Sequence, residues 1–128
     1  MKASARTLRL LYLLTPEDVF RLHPKIRWAA LSRESGGLVF SKLRPGISRY
    51  GKDEDDRKFM EFGPQFLIGI AGGLSPSNGT EQIHSLIINL EKYSALITRV
   101  QDGYLAISVD RSDALRVFEE VEPNIRKL

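Results

Sequence analysis

The chain contains no cysteine. Disulfides, thiol nucleophiles and cysteine-based zinc sites are therefore excluded. It has two histidines, His23 and His84, and their separation rules out a local HxH or HxxxH ligand pair. No apolar run approaches the roughly 20 residues that cross a bilayer. The opening MKASARTLRLLYLLTPED imitates a secretion signal, but Leu10 to Leu14 is too short, Arg9 interrupts its approach, and no small-residue cleavage site follows. The one glycine-rich run, Gly69-Ile70-Ala71-Gly72-Gly73, lacks the GxGxxG and GKS/GKT patterns and follows no strand, so it reads as a helix end rather than a nucleotide loop. These absences lead us to expect a cytoplasmic protein with no metal, no cofactor and no membrane insertion.

What is present suits one globular domain. The 128 residues are 42% hydrophobic and 27% charged, which is ordinary for a soluble fold with a real core. Net charge is only +3, but residues 1–52 carry +8 and residues 53–128 carry −5. Such a split lets the halves pair with each other, with a second copy, or with an anionic partner. No Lys/Arg run or interleaved aromatic platform accompanies the charge, which argues against nucleic acid.

The stretch Ile83 to Val109 anchors the secondary structure. Its runs of Ile, Leu, Val, Thr and Tyr predict three consecutive antiparallel strands, separated by turns at Glu91-Lys92-Tyr93 and at Asp102-Gly103. An Asp-Gly pair suits the two positive-φ positions of a tight hairpin. Leu105, Ile107 and Val109 form one face of the last strand. Tyr104, Ala106 and Ser108 form the other, small enough for close contact by a helix or a partner. His84 has no close sequence partner and reads as a sheet-surface or interface residue.

Upstream, Thr15-Pro16-Glu17-Asp18 is a helix start: N-cap, proline at the first position, acids in the first turn and Asp18 at the capping-box position. Val19, Phe20 and Leu22 are its buried side, and Pro24 ends it, leaving His23 to cap or pack. Ile26 to Ser32 and Leu38 to Leu43 form a hairpin around Glu34-Ser35-Gly36-Gly37, with Trp28 sharing a face with Ile26 and Ala30 in core or interface packing. Residues 47–52 read as a basic, flexible linker.

Asp53-Glu54-Asp55-Asp56 opens a long helix. The cluster invites a metal reading, but carboxylates belong in a first helical turn, and the calcium-loop pattern is absent. The helix carries two apolar stripes, Phe59-Phe62-Phe66-Ile70 and Met60-Gly63-Leu67-Leu74. Together they are wide enough to serve the sheet on one side and a second subunit on the other. Pro64 predicts a kink. A last helix follows Asp110 or Ser112, buries Leu115, Phe118 and Val121, and stops at Pro123.

The order helix-strand-strand-helix-strand-strand-strand-helix predicts an α+β fold. A five-stranded antiparallel sheet carries the long central helix on one face, with the terminal helices packed beside it. We read residues 1–128 as a single domain, with 1–14 as an N-terminal extension and 123–128 as a short tail. Residues 6–14 fit either helix or strand.

This order resembles the roadblock (dynein light chain) fold and its profilin-like and longin relatives. The segment His23-Pro24-Lys25-Ile26-Arg27, the helix opening Asp56 to Glu61 and the strand Leu105 to Val109 also resemble a family of small uncharacterised archaeal proteins. The likeness covers residues 15–122, and its motifs are structural. The roadblock resemblance implies a non-catalytic module that dimerises and scaffolds or regulates, often for small GTPases. It implies no catalytic residue. It implies an interface on the long helix around Phe59, Phe62, Phe66 and Ile70, or along a sheet edge, and we add Trp28 and His84 as further interface candidates. Two other readings compete: a small-ligand sensor, and a hydrolase using Asp53, Asp55, Asp56 or His84.

Overall fold

The computed structural model describes residues 14–74, 83–101 and 103–128, and within the long helix only the backbone of residues 53, 62 and 68–74. The elements are α1 (Pro16–Phe20), β1 (Trp28–Arg33), β2 (Leu38–Leu43), α2 (Asp53–Leu74), β3 (Ser85–Asn89), β4 (Tyr93–Val100) and β5 (Gly103–Asp110), then a 3-10 turn (Arg111–Asp113) and α3 (Ala114–Ile125). All strand pairs are antiparallel, in the order β2-β1-β5-β4-β3. This is the predicted α+β architecture with the long helix on one face. No helix of the described residues is long and apolar enough to cross a membrane.

The two-residue period of the strands sorts the core into two layers. Ala29, Leu31, Leu96, Leu105, Ile107 and Val109 pack with Val19 and Phe20 of α1 and with Val117, Phe118 and Val121 of α3. Trp28, Ala30, Ile97, Tyr104 and Ala106 pack with Met60 and Leu67 of α2. The terminal helices therefore cover the face opposite α2 rather than lying beside it. The physical reason is in β5, whose two faces are both apolar and both need cover. Fully burying one Leu or Phe side chain contributes about 1.5–3 kcal/mol, so leaving either face wet would be costly.

The start of α1 follows its sequence signal. Asp18 N–H donates to Thr15 Oγ1 at 3.2 Å, and Thr15 N–H donates to Asp18 Oδ2 at 3.0 Å, a complete capping box. Other expectations need correction. Ile26 precedes β1 and is buried in the α1 layer, so it does not share a face with Trp28. Val100 pairs with Gly103, and Gly103 also pairs with Arg33, so Gly103 is a strand residue and the β4–β5 loop is residues 101–102. Asp102 itself lies outside the described residues. Among the described glycines, positive φ occurs at Gly36 (103°) and Gly46 (84°). Pro123 lies inside α3, which runs on to Ile125, and neither Asp110 nor Asp113 caps through its side chain. Most of the leucine segment 6–14 and the turn 75–79 lie outside the described residues.

The capping box has a pH signature. The Thr15 amide and hydroxyl, followed by Arg21, hold the Asp18 carboxyl below its usual value. A depressed folded pKa means that the contribution is complete above the unfolded pKa near 4 and is lost as pH falls through the folded value. Replacing Asp18 by Asn should lower stability at neutral pH and flatten the acid limb below about pH 4, as measured by urea midpoint against pH. An acid limb as steep as that of the parent would contradict this.

Candidate interaction surface and adjoining cleft

Helix α2 meets the sheet through Met60, Gly63, Pro64 and Leu67, all buried. Gly63 sets the distance. A Cβ added there would lie 2.4 Å from Ile97 Cδ1 and 3.7 Å from the Phe59 ring. Of the two stripes on this helix, Met60-Gly63-Leu67 is thus the inner one. Phe59, on the other stripe, is half-buried and meets Trp28 edge to face at 5.8 Å. Phe66 points outward, 63% exposed. The side chains of Phe62 and Ile70 are outside the described residues. Trp28 is 5% exposed, and its indole Nε1–H donates to Ser41 Oγ at 3.0 Å. It packs in the core layer beneath α2 and lines the cleft described below. His84 is exposed beside the edge strand β3, and its carbonyl accepts from Arg99 N–H at 3.1 Å.

The acidic cluster divides among separate tasks. Asp55 Oδ2 accepts from Lys52 N–H at 2.9 Å, as an acid in a first helical turn does. Asp56 pairs with Arg49, and Glu54 lies 3.5 Å from Lys58. Among the described residues no three His, Cys, Asp or Glu converge as a metal site. Asp55 and Asp56 face Tyr93 at the start of β4, whereas His84 lies against Arg99 near its end. Six strand residues separate them by about 20 Å, so these carboxylates and His84 do not form one site.

Between the start of α2 and the adjoining end of the sheet lies a cleft that the sequence did not disclose. Its volume is about 480 Å³ including the open mouth, with about 40 Å³ of free space inside. Its walls include Trp28, Tyr50, Phe59 and Tyr93, with Arg27, Arg49, Asp55, Asp56 and Ser108. The loop expected to be a flexible linker is laced to the sheet here. Arg27 donates to Ser48 O at 2.7 Å, lies 3.5 Å from Asp110, and stacks over the Tyr50 ring at 4.1 Å. Tyr50 O–H donates to Asp110 Oδ1 at 2.7 Å, and its ring stacks on Tyr93 at 5.9 Å. That bond to Asp110, with some burial, raises the Tyr50 hydroxyl pKa. Burial, then Asp56 and Asp55, raises that of Tyr93.

Arg44 anchors the other end of this loop. Its guanidinium donates to Ile26 O at 2.6 Å and to Phe20 O and His23 O at 2.8 Å each, tying the segment after α1 to the end of β2. His23 Nδ1 accepts from Lys25 N–H at 3.0 Å, so Nε2 carries the proton donated to Glu120 at 2.9 Å. Arg27–Asp110 and His23–Glu120 also join the basic and acidic halves of the chain. No sequence spacing marks Arg44, Tyr50 or Tyr93. Only Arg27 carried a signal, as the last residue of the HPKIR segment.

This arrangement, with two helices on one face of a 2-1-5-4-3 sheet and one long helix on the other, is the Roadblock/LC7 fold. Solved structures with this architecture include one described as MglB with a tetrameric arrangement (TM-score 0.66, 12% identity, covering 96% of this chain and 84% of that one). Myxococcus xanthus MglB is similar at TM-score 0.63 and 15% identity, over 84% of each chain. A Roadblock/LC7 domain from Streptomyces avermitilis is similar at TM-score 0.61 and 12% identity, over 88% of this chain and 89% of that one. No family model and no curated protein matches the sequence. At these identities the likeness is one of fold.

The Gly63 contact yields a test of how α2 is seated. Gly63→Ala should destabilise the protein by about 1–2 kcal/mol, because overpacking against buried Ile97 outweighs the better helix propensity of alanine. Ile97→Val removes the clashing methyl, so the double variant should lose less than the sum of the two single losses. Additive losses in urea melts would contradict the close approach.

Proposed function

We propose that this protein is a non-catalytic, dimerising protein-interaction module, a cytoplasmic regulatory or scaffold component of intracellular signalling, with a protein partner such as a small GTPase. The observation that carries this reading is the outward face of α2. Its inner stripe is taken up by the sheet, and Phe66 remains 63% exposed on the opposite side of a 22-residue helix. Large apolar side chains on an outer helix face favour association. Phe59, Phe62 and Ile70 belong to the same stripe in sequence, and His84 flanks the edge strand β3, a natural pairing site. The fold supports the reading, since a similar structure is described as a tetrameric MglB arrangement. The archaeal kinship belongs to this proposal too, and rests on the HPKIR, Asp56–Glu61 and Leu105–Val109 segments.

Phe66→Asp should abolish self-association, seen as a fall to monomer mass in light scattering across protein concentration, while the melting temperature stays near that of the parent. Dimers that survive this substitution, or a parent that is monomeric throughout, would overturn the placement. Salt-sensitive dimers would instead indicate pairing of oppositely charged surfaces.

A small-ligand sensor is the second reading. One observation favours it: an open groove of about 710 Å³ including its mouth, between the end of β4 and the end of α3, lined by His84, Thr98, Arg99 and Arg126 among others. A metabolite bound there tightly would raise the melting temperature strongly, and a flat thermal screen against metabolites and nucleotides would dismiss the idea.

A further inference from the structure

We propose that residues 46–51 form a strap over the cleft beside the first turn of α2, latched by Tyr50 on Asp110, and that the strap opens about Gly46 and Gly51 to uncover Trp28. This goes beyond the proposed function and is independent of self-association through Phe66.

Both ends of the strap are anchored. Before it, Arg44 binds the carbonyls of Phe20, His23 and Ile26. After it, Lys52 N–H donates to Asp55 Oδ2 in the first turn of α2 at 2.9 Å. A glycine stands inside each anchor. Gly46 has φ 84°, where residues with a Cβ are rare, and a Cβ added at Gly51 would lie 2.8 Å from Asp55 Oδ2, against the anchor itself. Hinges are a few loop positions that absorb a change of φ and ψ, and a residue without Cβ does so most freely. Among the described residues, Ser48, Tyr50 and Gly51 enter no backbone–backbone hydrogen bond. Side chains hold the strap instead. Tyr50 O–H donates to Asp110 Oδ1 at 2.7 Å, Arg27 donates to Ser48 O at 2.7 Å and covers the Tyr50 ring, and Arg49 pairs with Asp56.

These contacts sit at the surface, with Tyr50 47% exposed. Exposed polar contacts contribute little each and weaken as salt screens them. One carboxylate carries much of the latch, because Asp110 takes the Tyr50 hydroxyl and lies 3.5 Å from Arg27, the cation over the same ring. Losing the Tyr50 bond therefore loosens both partners of the ring. Beneath the strap lie Trp28, Leu43 and Phe59, and about 40 Å³ inside the cleft is unfilled. A fully interdigitated contact resists separation. Here the strap spans part of its floor without filling it, so opening breaks few apolar contacts. Local openings of this kind belong to segments with few buried apolar contacts and exposed hydrogen bonds.

Trp28 is the only tryptophan, is 5% exposed and lines the cleft, so quenching of its fluorescence by acrylamide reports on opening. Tyr50→Phe deletes one exposed hydroxyl and keeps the ring between Arg27 and Tyr93. It should raise the quenching constant about twofold or more, as the loss of one exposed polar contact shifts an opening equilibrium, while the melting temperature stays near that of the parent. Ser48→Ala leaves the latch intact and should change nothing. In the parent, raising sodium chloride from about 10 mM to about 1 M should increase quenching by this uncharged probe, since the latch is screened over that range. Unchanged quenching in Tyr50→Phe would overturn the proposal. So would a parent indifferent to salt, or a rise in Tyr50→Phe that comes with a large fall in melting temperature, which would mark general loosening instead of a strap.

Discussion

The fold depends on β5. It is the middle strand, paired on one side with β1 and on the other with β4, and Gly103 to Val109 are all buried. A strand covered on both faces forces a layer of helices above and below. Its alternating residues decide which helix goes where. Leu105, Ile107 and Val109 are large and branched and accept the short α1 and the amphipathic α3. Tyr104, Ala106 and Ser108 leave a shallower surface, and α2 comes down on it closely enough that Gly63 cannot carry a side chain without displacing Ile97. Close approach on one face and deep interdigitation on the other are two consequences of one strand's alternation.

The seating of α2 then fixes the surface. Once Met60, Gly63 and Leu67 turn inward, the 3.6-residue period turns Phe66 outward. The same seating carries the first turn of α2 over the end of the sheet. The loop before it is thereby drawn against Arg27, Asp110 and Tyr93. Arg44 does the corresponding work for the segment after α1, collecting the carbonyls of Phe20, His23 and Ile26, of which His23 O also accepts from Ile26 N–H. Unpaired buried carbonyls are costly, and one guanidinium with donors in a fixed fork closes them together. The exposed Phe66 and the aromatic cleft both follow from this seating, one on the body of α2 and the other at its beginning.

Much of this was legible in the residues. Thr15, Pro16 and Asp18 announced α1 because capping is a local contest between a side chain and three or four amides. Leu38 to Leu43, the strand after the Glu91-Lys92-Tyr93 turn and the segment from Asp53 to Leu74 were readable from periodicity and turn residues, although Tyr93 itself belongs to β4. Local rules failed where a neighbouring strand had the casting vote. Gly103 has the composition of a turn residue but pairs with Arg33 as well as Val100, which draws it into the strand. Ile26 stands two residues before Trp28, yet the chain enters the sheet only at Trp28, so the period does not extend back to it. Pro123 lies late enough in α3 that losing its amide leaves the helix running to Ile125.

Among the described residues, the sequence by itself determined the type and order of the main helices and strands, the sheet meander, the identity of the long helix and the presence of two apolar stripes along it. Those follow from periodicity, capping and turn chemistry, which act within a few residues. Only the tertiary structure decided which stripe faces inward, that α1 and α3 share the face opposite α2, and that Arg27, Tyr50, Asp55, Tyr93 and Ser108 border one cleft. These residues are spread over 82 positions from first to last. Their meeting depends on strand order and on the depth at which one helix packs, and neither quantity is written in any local run of residues.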